Sequence, residues 1–536
     1  MSVAGDVSQV GRLKLSAGSG ALKLAALCLV ILATVAVAST ARTFSGTVDE
    51  PAHIAAGMQW LTTSRYDYDL QHPPLGRIAA AIGPYARGAR GAGTPAIYDE
   101  GAAILGAGQH YVDTLASARY GELPFFLVLA LVVWLWARRL CGDAGAAVAA
   151  VLLVANPNVL AHAGLATTDI AAAAMTTLAL FAATWWIDRP NWARTAALGV
   201  AVGLAVASRL SAIAFVGGPL AACYALRTWA TRSGRIDASL SIANSLARVI
   251  VVPIGALLTV WIVYGFAWQP FAAGIERFVL HGGSGHPTFL LGMPSNRGWW
   301  YYFPVALLVK TPLPLLLAVI LGAGGVATNL RERRDWAAAV PLVSAITMLA
   351  ISLVVRVDLG VRLILPVYPL LAIAGAQGVM YLLERHASMA ATVAAAAILA
   401  GSIVVAVRSY PDQLSYFNAL AGDHPEHIRV DSNLDWGQDL YRLRDTIVAR
   451  GIQDTVRVAY FGTAALPAAG VPHARELGLH ERATGWIAAS ETYLAGEWVG
   501  RAYMWLLAYA PVARIGPSMR LWYIPPESAT RDSMPR

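Results

Sequence analysis

Two adjacent carboxylates follow the first long apolar stretch of the chain. They are Asp49 and Glu50, and His53 comes three residues after Glu50. A carboxylate at the end of a membrane helix is expensive to hold close to the low-dielectric lipid, and it can take a proton from an attacking hydroxyl as a general base. Acids are also frequent in the first turn of a helix, where they favour its positive end. The pair alone therefore leaves a catalytic base and a helix cap equally open.

A stiff basic segment comes next, with His72, Pro73, Pro74 and Arg77. Proline fixes its own φ and holds the preceding residue extended, so His72 and Arg77 are predicted to be presented rigidly at the membrane surface. The guanidinium fork of Arg77 suits a phosphate group. The alternative is an ordinary interfacial arginine whose stem lies along the lipid.

Two ionisable residues stand within apolar stretches. Lys310 is about eight residues into one of them, or about 12 Å along a helix. Such a position costs at least about 2.5 kcal/mol on insertion scales and indicates a function; snorkelling, or pairing with a buried acid, is the alternative. Asp169 opens another stretch, and either belongs to the site or caps a helix together with Thr167 and Thr168.

Metal binding is not predicted. His281 and His286 flank a glycine-rich loop, which would suit a metal or a lid, but a solvated turn is the simpler interpretation. Since no group of histidines and carboxylates has metal-ligand spacing, we predict no obligatory metal and keep a divalent ion as the alternative. Cys28, Cys141 and Cys223 are far apart and are predicted to be structural thiols.

Membrane-spanning helices must position these residues. Of the 536 residues, 57% are hydrophobic and 13% are charged, whereas soluble proteins carry roughly 25% charged residues. The apolar stretches have the length that a helix needs to cross a bilayer. We predict an α-helical polytopic membrane protein with about eleven spans, at 21–40, 121–137, 143–160, 168–187, 194–208, 210–227, 248–268, 303–325, 336–355, 362–383 and 389–407.

Basic residues orient the spans. They cluster in alternate connections, at Arg12 and Lys14, Arg138 and Arg139, Arg189 and Arg194, Arg227, Arg232 and Arg235, Arg331, Arg333 and Arg334, and Arg385. Because cytoplasmic loops carry the excess of Lys and Arg, we predict a plasma or inner membrane protein with a cytoplasmic N-terminus. The first apolar stretch is long for a signal peptide and is predicted to be retained. The net charge of +8 thus needs no nucleic-acid partner, which would require a basic face.

Two predicted outer segments are too long to be simple connections between membrane spans. The first outer loop is predicted at about 41–120, and the chain divides into a membrane domain, 1–407, and an extracytoplasmic C-terminal domain, 408–536. The tail has strand-like runs at 456–461 and 485–488 and a helix-like stretch at 438–450, which predict a small α/β domain. Asp431, Asp435 and Asp439 would share one helix face, and we predict that this face is solvated.

The two motifs of the first loop resemble those of a known family. Asp49 and Glu50 with His53, followed by His72-Pro-Pro-Leu-Gly-Arg77, are similar to the dolichyl-phosphate-mannose–protein mannosyltransferases, GT-C class integral membrane glycosyltransferases. The resemblance continues at 166–169 and 208–211, and bacterial family-39 glycosyltransferases share stretches similar to 298–303, 310–312, 359–362, 366–369 and 431–440. Arg209 replaces the lysine usual in the family, and the loop after the seventh span is too short for the sugar-binding insert of the eukaryotic enzymes.

This resemblance implies a GT-C-like fold and transfer of a sugar, mannose by family default, from a polyprenyl-phosphate donor by one inverting displacement. Asp49 would be the base, and Glu50 would orient the acceptor or assist Asp49. The residues expected at the donor phosphate or substrate are His53, His72, Arg77, Asp169, Arg209, Lys310, Arg356 and Arg362. Lys310 lies within the eighth predicted span, and the others fall on the outer side in the predicted topology.

The acceptor stays open among a protein, a lipid such as lipid A, and a wall polysaccharide. The alternative function is a transporter or flippase of a lipid-linked sugar. It would place polar residues near the middle of the bilayer, in repeated halves, and the sequence has no such repeat.

Overall fold

The computed structural model describes residues 19–232, 246–332 and 335–526. Arg12, Lys14, Arg235, Arg333 and Arg334 of the predicted cytoplasmic loops lie outside these ranges. The helices assigned to the membrane region are Ser19–Thr40, Leu123–Val154, Pro157–Ala163, Asp169–Asp188, Trp192–Ser208, Ala212–Arg232, Leu246–Val263, Tyr302–Lys310, Leu313–Glu332, Val340–Ser352, Val367–His386 and Met389–Ser409.

Among the described residues, six helices are long and apolar enough to cross a membrane, and three shorter apolar helices accompany them. The multi-pass architecture is confirmed, while the count of eleven spans stays a prediction. The helix Leu123–Val154 is broken at Gly142, whose φ of 69° favours glycine. This break falls between the second and third predicted spans.

The predicted span 303–325 is wrong as one continuous helix. Tyr302–Lys310 ends at Lys310, Thr311 is extended with ψ 132°, and a second helix starts at Leu313. Pro312 explains the break, because it disfavours the helical conformation of the residue before it and has no N–H of its own to donate. Lys310 therefore lies at a helix end rather than inside a continuous span.

The first outer loop is folded into helices, at Glu50–Thr63, Pro74–Ala86, Ile97–Gly106 and Tyr111–Tyr120. The first two pack so closely that a Cβ at Gly57 would lie 1.9 Å from the carbonyl oxygen of Arg77. Only glycine permits this approach, which brings the segment after Asp49 against the segment that carries Arg77.

Two short strands, β1 (Thr288–Leu290) and β2 (Met293–Ser295), form a separate hairpin before the tail. The tail contains the strands β3 (Val456–Ala459), β4 (Ala474–Glu476), β5 (Gly485–Ser490), β6 (Ala513–Ile515) and β7 (Met519–Ile524). They form one five-stranded sheet in the order β4-β3-β5-β7-β6. Strand β3 is parallel to β4 and β5, whereas β7 is antiparallel to β5 and β6. The predicted small α/β region in the tail is confirmed, with its helix at Leu440–Ala449.

The tail and the first loop share one apolar cluster. Ile54 and Met58 of the loop belong to it together with Leu440, Leu443 and Val456 of the tail. Burial of such side chains contributes about 25 cal/mol for each Å² of apolar surface removed from water. The shared core fixes the tail against the segment that follows Asp49; the domain boundary near residue 407 stays a prediction.

Candidate active site

Asp49 is bound to an arginine from the far end of the membrane region. Its Oδ2 lies 2.5 Å from Nη1 of Arg362. Arg362 belongs to a short 3-10 turn after Gly360, whose φ is 105°, and its guanidinium carbon lies 4.4 Å from the centre of the Trp436 ring. Asp49 precedes the helix Glu50–Thr63 without a side-chain cap hydrogen bond. The structure thus shows an ion pair where the sequence left a helix cap open.

A second ion pair adjoins the first. Oδ1 of Asp169 accepts a hydrogen bond of 2.7 Å from Nη1 of Arg209, and its Oδ2 accepts one of 2.9 Å from Thr167. His162 lies 3.4 Å from the same carboxylate. Arg209 also donates to the backbone oxygen of Arg362 over 3.3 Å. Four predicted site residues, from four separate parts of the chain, therefore meet in one cluster of alternating charge.

Glu50 points to a different partner. Its two oxygens accept four hydrogen bonds, two from Arg119 at 2.7 and 2.8 Å, and one each from the backbone N–H of Thr47 and Ala166 at 2.8 and 2.9 Å. Burial opposes ionisation of Glu50, but Arg119 and the two amides outweigh it and hold the pKa of the carboxyl below its ordinary value. With its accepting positions occupied, Glu50 ties the loop before Asp49 to the segment before Asp169.

Arg77 is the centre of a buried network within the first loop. Nε donates to Nδ1 of His53 over 2.9 Å, Nη1 to the hydroxyl of Tyr66 over 3.0 Å, and Nη2 to Asp69 over 2.5 Å. His72 contacts the same Asp69 oxygen at 2.8 Å. Burial, and then the charge of Arg77, lower the pKa of His53 well below its ordinary value. Arg77 is 1% exposed, so its guanidinium binds residues of the first loop. It does not lie at the surface, where we predicted that it would meet a phosphate.

Lys310 is bound by the tail. Nζ donates to the carbonyl oxygens of Leu414 and Asn433 over 2.8 and 2.7 Å, and it lies 4.5 Å from the centre of the Phe417 ring. Arg356, which was also predicted to contact the phosphate, is exposed. It lies in the connection between Val340–Ser352 and the turn of Arg362. Of these two predicted phosphate contacts, Arg356 is the one open to solvent.

The histidines of the glycine-rich loop face the tail. The rings of His281 and His286 are 5.7 Å apart, and His286 lies 4.7 Å from Trp498. In the ranges that the structure describes, no group of three or more His, Cys, Asp or Glu side chains is arranged to hold a metal.

Comparisons with known proteins agree with this architecture. Residues 111–257 match the family model of dolichyl-phosphate-mannose-protein mannosyltransferases. The structure is similar to ArnT from Cupriavidus metallidurans bound to undecaprenyl phosphate, with a TM-score of 0.50 and 15% identity, over 92% of this chain and 97% of that chain. The chain has the GT-C fold. With the family match over residues 111–257, this fold agrees with the predicted GT-C-like architecture.

A second GT-C structure matches over most of the chain. It is the archaeal oligosaccharyltransferase AglB from Archaeoglobus fulgidus in complex with an inhibitory peptide and a dolichol-phosphate, with a TM-score of 0.50 and 12% identity, over 88% of this chain and 71% of that chain. No curated protein matches the chain. At these identities the structures establish the fold of the chain and not its reaction or substrates.

The prediction of a solvated acidic face in the tail is wrong. Asp431, Asp435 and Asp439 are 4%, 0% and 0% exposed, and the helix begins only at Leu440. Burial raises the pKa of Asp435 to about 7, although the N–H of Thr492 donates to it over 2.9 Å. The chain turns at Asp431 and Gly437, with φ of 53° and 88°, so the spacing of four does not produce a helix face.

Trp436 is the site residue that sequence analysis missed. Its backbone oxygen accepts from the N–H of Val48 over 3.1 Å, directly before Asp49. Its ring lies under Arg362 and 6.2 Å from that of His162. The signal for it was the resemblance of the stretch 431–440 to family tails, but a tryptophan between three acids has no spacing that predicts a contact with Arg362. The cluster around Asp49 is therefore completed by the C-terminal segment.

Proposed function

We propose that this GT-C protein transfers a sugar from a polyprenyl-phosphate donor to an acceptor at the outer face of the cell membrane, with Asp49 as the general base. The two similar structures were solved with undecaprenyl phosphate and with a dolichol-phosphate, which supports a lipid phosphate as the donor class. The family model supports mannose as the first sugar to test. The acceptor is a protein, a lipid or a polysaccharide.

The observation that carries this proposal is the half-buried pair of Asp49 and Arg362. Arg362 occupies Oδ2, and no residue that the structure describes donates to Oδ1 of Asp49. This second oxygen is available to the hydroxyl of an acceptor. A base must lie within hydrogen-bond reach of the proton that it removes, and the side chain of Asp49 is 21% exposed, so a ligand has access to it.

The reaction is one displacement at the anomeric carbon. The acceptor hydroxyl gives its proton to Asp49 as its oxygen forms the new bond to the anomeric carbon. The bond between that carbon and the phosphate oxygen breaks, and the lipid phosphate leaves with the electron pair. Arg362 and Arg209 stabilise the charge that grows on the phosphate, and the exposed Arg356 is a third cation for it. Fixed charges in a partly dry site act strongly on such a transition state.

The other predicted residues position this cluster. Glu50 fixes the loop before Asp49 to the segment before Asp169 through Arg119 and two amides. Asp169 holds Arg209 by its ion pair. His53, His72 and Arg77 stiffen the first loop, and Lys310 anchors the tail segment that carries Trp436.

The test is incubation of the purified full chain with undecaprenyl-phosphate mannose, and with other undecaprenyl-phosphate sugars, followed by mass analysis of the released lipid and of the glycosylated product. Asp49→Asn should abolish transfer and keep donor binding. Asp67→Asn is the matched control, because Asp67 is an exposed acid of the same loop, paired with Arg65. Full transfer by Asp49→Asn would rule out the base, and release of lipid without an inverted product would rule out a single displacement.

A further inference from the structure

One tryptophan of the tail is held open to solvent in a backbone conformation that its residue type rarely adopts. Trp498 is 46% exposed, and its φ is 68°. Left-handed backbone is unfavourable for a bulky residue, so the surrounding structure must hold it there. Nε1 of the indole donates to Oδ2 of the buried Asp431 over 3.2 Å. The fold thus keeps a large apolar surface in water, at a fixed position and at a cost in conformational energy.

Two other rings flank this indole. The ring of Phe461 is stacked on it at 5.8 Å, with 28° between the planes, and the ring of His286 lies 4.7 Å away at 83°. Nδ1 of His286 donates to the carbonyl oxygen of Pro287 over 2.9 Å, so Nε2 of the neutral ring is left as an acceptor. Within the described ranges, no residue hydrogen-bonds this Nε2. An open apolar surface therefore lies beside an unused hydrogen-bond acceptor.

The loop that carries Phe461 also contacts the segment of the catalytic base. The N–H of Phe461 donates to the hydroxyl of Ser490 over 2.9 Å, which ties this loop to the end of β5. Two residues later, the hydroxyl of Thr463 donates to the carbonyl oxygen of Val48 over 2.9 Å. Val48 directly precedes Asp49. One short loop therefore connects the exposed indole to the candidate base.

A second set of contacts runs through the core beneath the loop. Phe461 belongs to the same apolar cluster as Trp436, and Arg362 lies on the ring of Trp436. Strands β3 and β5 are parallel and end at this edge of the sheet. In open α/β sheets, ligands bind outside the carboxyl ends of parallel strands. Trp498 thus lies at the edge of the tail that faces the cluster around Asp49.

We propose that Trp498, backed by Phe461 and flanked by His286, is an aromatic platform that binds one sugar ring of a saccharide. A pyranose has a face of C–H groups and a rim of hydroxyls. Its C–H face would pack on the indole, which offers a large apolar surface, and one hydroxyl would donate to Nε2 of His286. The ring belongs either to the acceptor or to the lipid-linked donor. This inference rests on the proposed function for the presence of a saccharide near Asp49, but binding at Trp498 requires no transfer.

The experiment measures binding to the full chain in detergent micelles in two arms. Saturation-transfer difference NMR titrates mannobiose, galactobiose and cellobiose. Calorimetry compares undecaprenyl-phosphate mannose with undecaprenyl phosphate, so that the difference between the two affinities reports the sugar alone.

The main variant is Trp498→Asn, because asparagine removes the ring and accepts a left-handed φ. Trp498→Tyr keeps an aromatic face. The matched control is Tyr523→Asn, since Tyr523 is a tail aromatic that is also 46% exposed, and it lies beside Trp486 at the other end of β5. Thermal unfolding verifies that each variant is folded. His286→Phe removes only the acceptor, and it keeps the test valid if Trp498→Asn does not fold.

Trp498→Asn should weaken saccharide binding between about 2-fold and 10-fold, Trp498→Tyr and His286→Phe should weaken it less, and Tyr523→Asn should not change it. Weaker disaccharide binding with an unchanged difference between the two lipids would assign the platform to the acceptor. A smaller difference between the two lipids would assign it to the donor sugar. The platform would be refuted if wild type bound no disaccharide and both lipids equally, if Trp498→Asn bound every probe as wild type does, or if Tyr523→Asn weakened binding as much.

The same measurements separate this inference from the proposed function. Saccharide binding that depends on Trp498, in a chain that transfers no sugar, would keep the platform and remove the transfer reaction. Transfer that Asp49→Asn abolishes, while Trp498→Asn keeps the wild-type KM for donor and acceptor, would keep the reaction and remove the platform.

Discussion

Arg362 binds Asp49 across 313 positions of the sequence, with Nη1 and Oδ2 2.5 Å apart. The arginine comes from the turn before Val367–His386, and the acid from the start of the first outer loop. The same guanidinium rests on Trp436 of the tail. Three distant parts of the chain thus determine where the carboxylate of Asp49 lies.

Removing the guanidinium should slow transfer more than it weakens the fold. We expect Arg362→Gln to lower kcat about 100-fold, the usual effect of losing one preorganised donor. Arg362→Lys should recover part of the rate, because lysine keeps the charge without the fork. Steady-state transfer assays measure both. The control is Arg385→Gln, at an exposed arginine in the last turn of the helix Val367–His386, which follows the turn of Arg362. An unchanged kcat in Arg362→Gln would contradict the assignment.

Trp436 should act through Arg362. A desolvated cation–π contact contributes about 0.5–2 kcal/mol, so we expect Trp436→Leu to reduce kcat/KM between about 2-fold and 30-fold. Trp436→Phe keeps an aromatic face and should be closer to wild type. If Trp436→Leu and Trp436→Phe reduced kcat/KM equally, with equal losses of thermal stability, the ring would be only a packing residue. Trp522→Phe, in the core of the sheet, is the control for general destabilisation of the tail.

Glu50 should matter for stability where Asp49 matters for rate. Breaking a buried ion pair costs about 3–5 kcal/mol, and Glu50→Gln also weakens acceptance from the N–H of Thr47 and Ala166. We expect a clearly lower Tm for Glu50→Gln and a nearly unchanged Tm for Asp49→Asn, measured by thermal unfolding in detergent. Glu50→Gln combined with Arg119→Met should recover part of the loss. If the Tm of Glu50→Gln were unchanged, Glu50 would again be a candidate catalytic residue, as the sequence predicted.

The sequence predicted the charged members of the cluster around Asp49 but not their pairing. The motif in the first loop and the positive-inside pattern placed Asp49, Asp169, Arg209 and Arg362 on one side of the membrane. Which cation meets which acid depends on how distant segments pack, and no local spacing contains that information. Lys310 lies about eight residues into its helix, as predicted, but Pro312 ends that helix, so the predicted continuation of the span to residue 325 was wrong.

The tail was less predictable than the membrane region. Strands and a helix were visible from alternation and turn signals. The burial of Asp435 and Arg429 was not, because an isolated charged residue in a polar segment normally lies in solvent. Asp435 is buried against Thr492 of the tail itself and Arg429 against Tyr302, and such contacts between distant segments leave no local pattern in the sequence.

The buried acids of the tail should make stability depend on pH. The pKa of Asp435 is raised from 3.8 to about 7 in the folded state, so the folded chain holds more protons than the unfolded chain between about pH 4 and 7. The free energy of unfolding should therefore fall as the pH rises through this window, by at most about 4 kcal/mol, and then level off. Asp435→Asn should reduce this fall in the free energy of unfolding. The smaller fall that remains comes from Asp439 and should end near pH 6, since the pKa of Asp439 is about 6. Unfolding at pH 5 and pH 8, with the exposed Asp423→Asn as control, measures this; a stability that rises with pH in wild type would contradict it.

Lys310 should hold the tail in place. Its ammonium binds two tail carbonyls, so Lys310→Met should free the segment around Leu414 and Asn433 without leaving a buried charge. We expect faster proteolysis of the tail and a lower kcat, because Trp436 and Arg362 lose their fixed positions. A direct phosphate contact would instead raise KM for the donor and leave proteolysis unchanged. Lys23→Met is the matched control, since Lys23 pairs with Asp143 in a partly exposed contact far from the tail in sequence. Limited proteolysis and donor KM, measured on both variants, separate anchoring from phosphate binding.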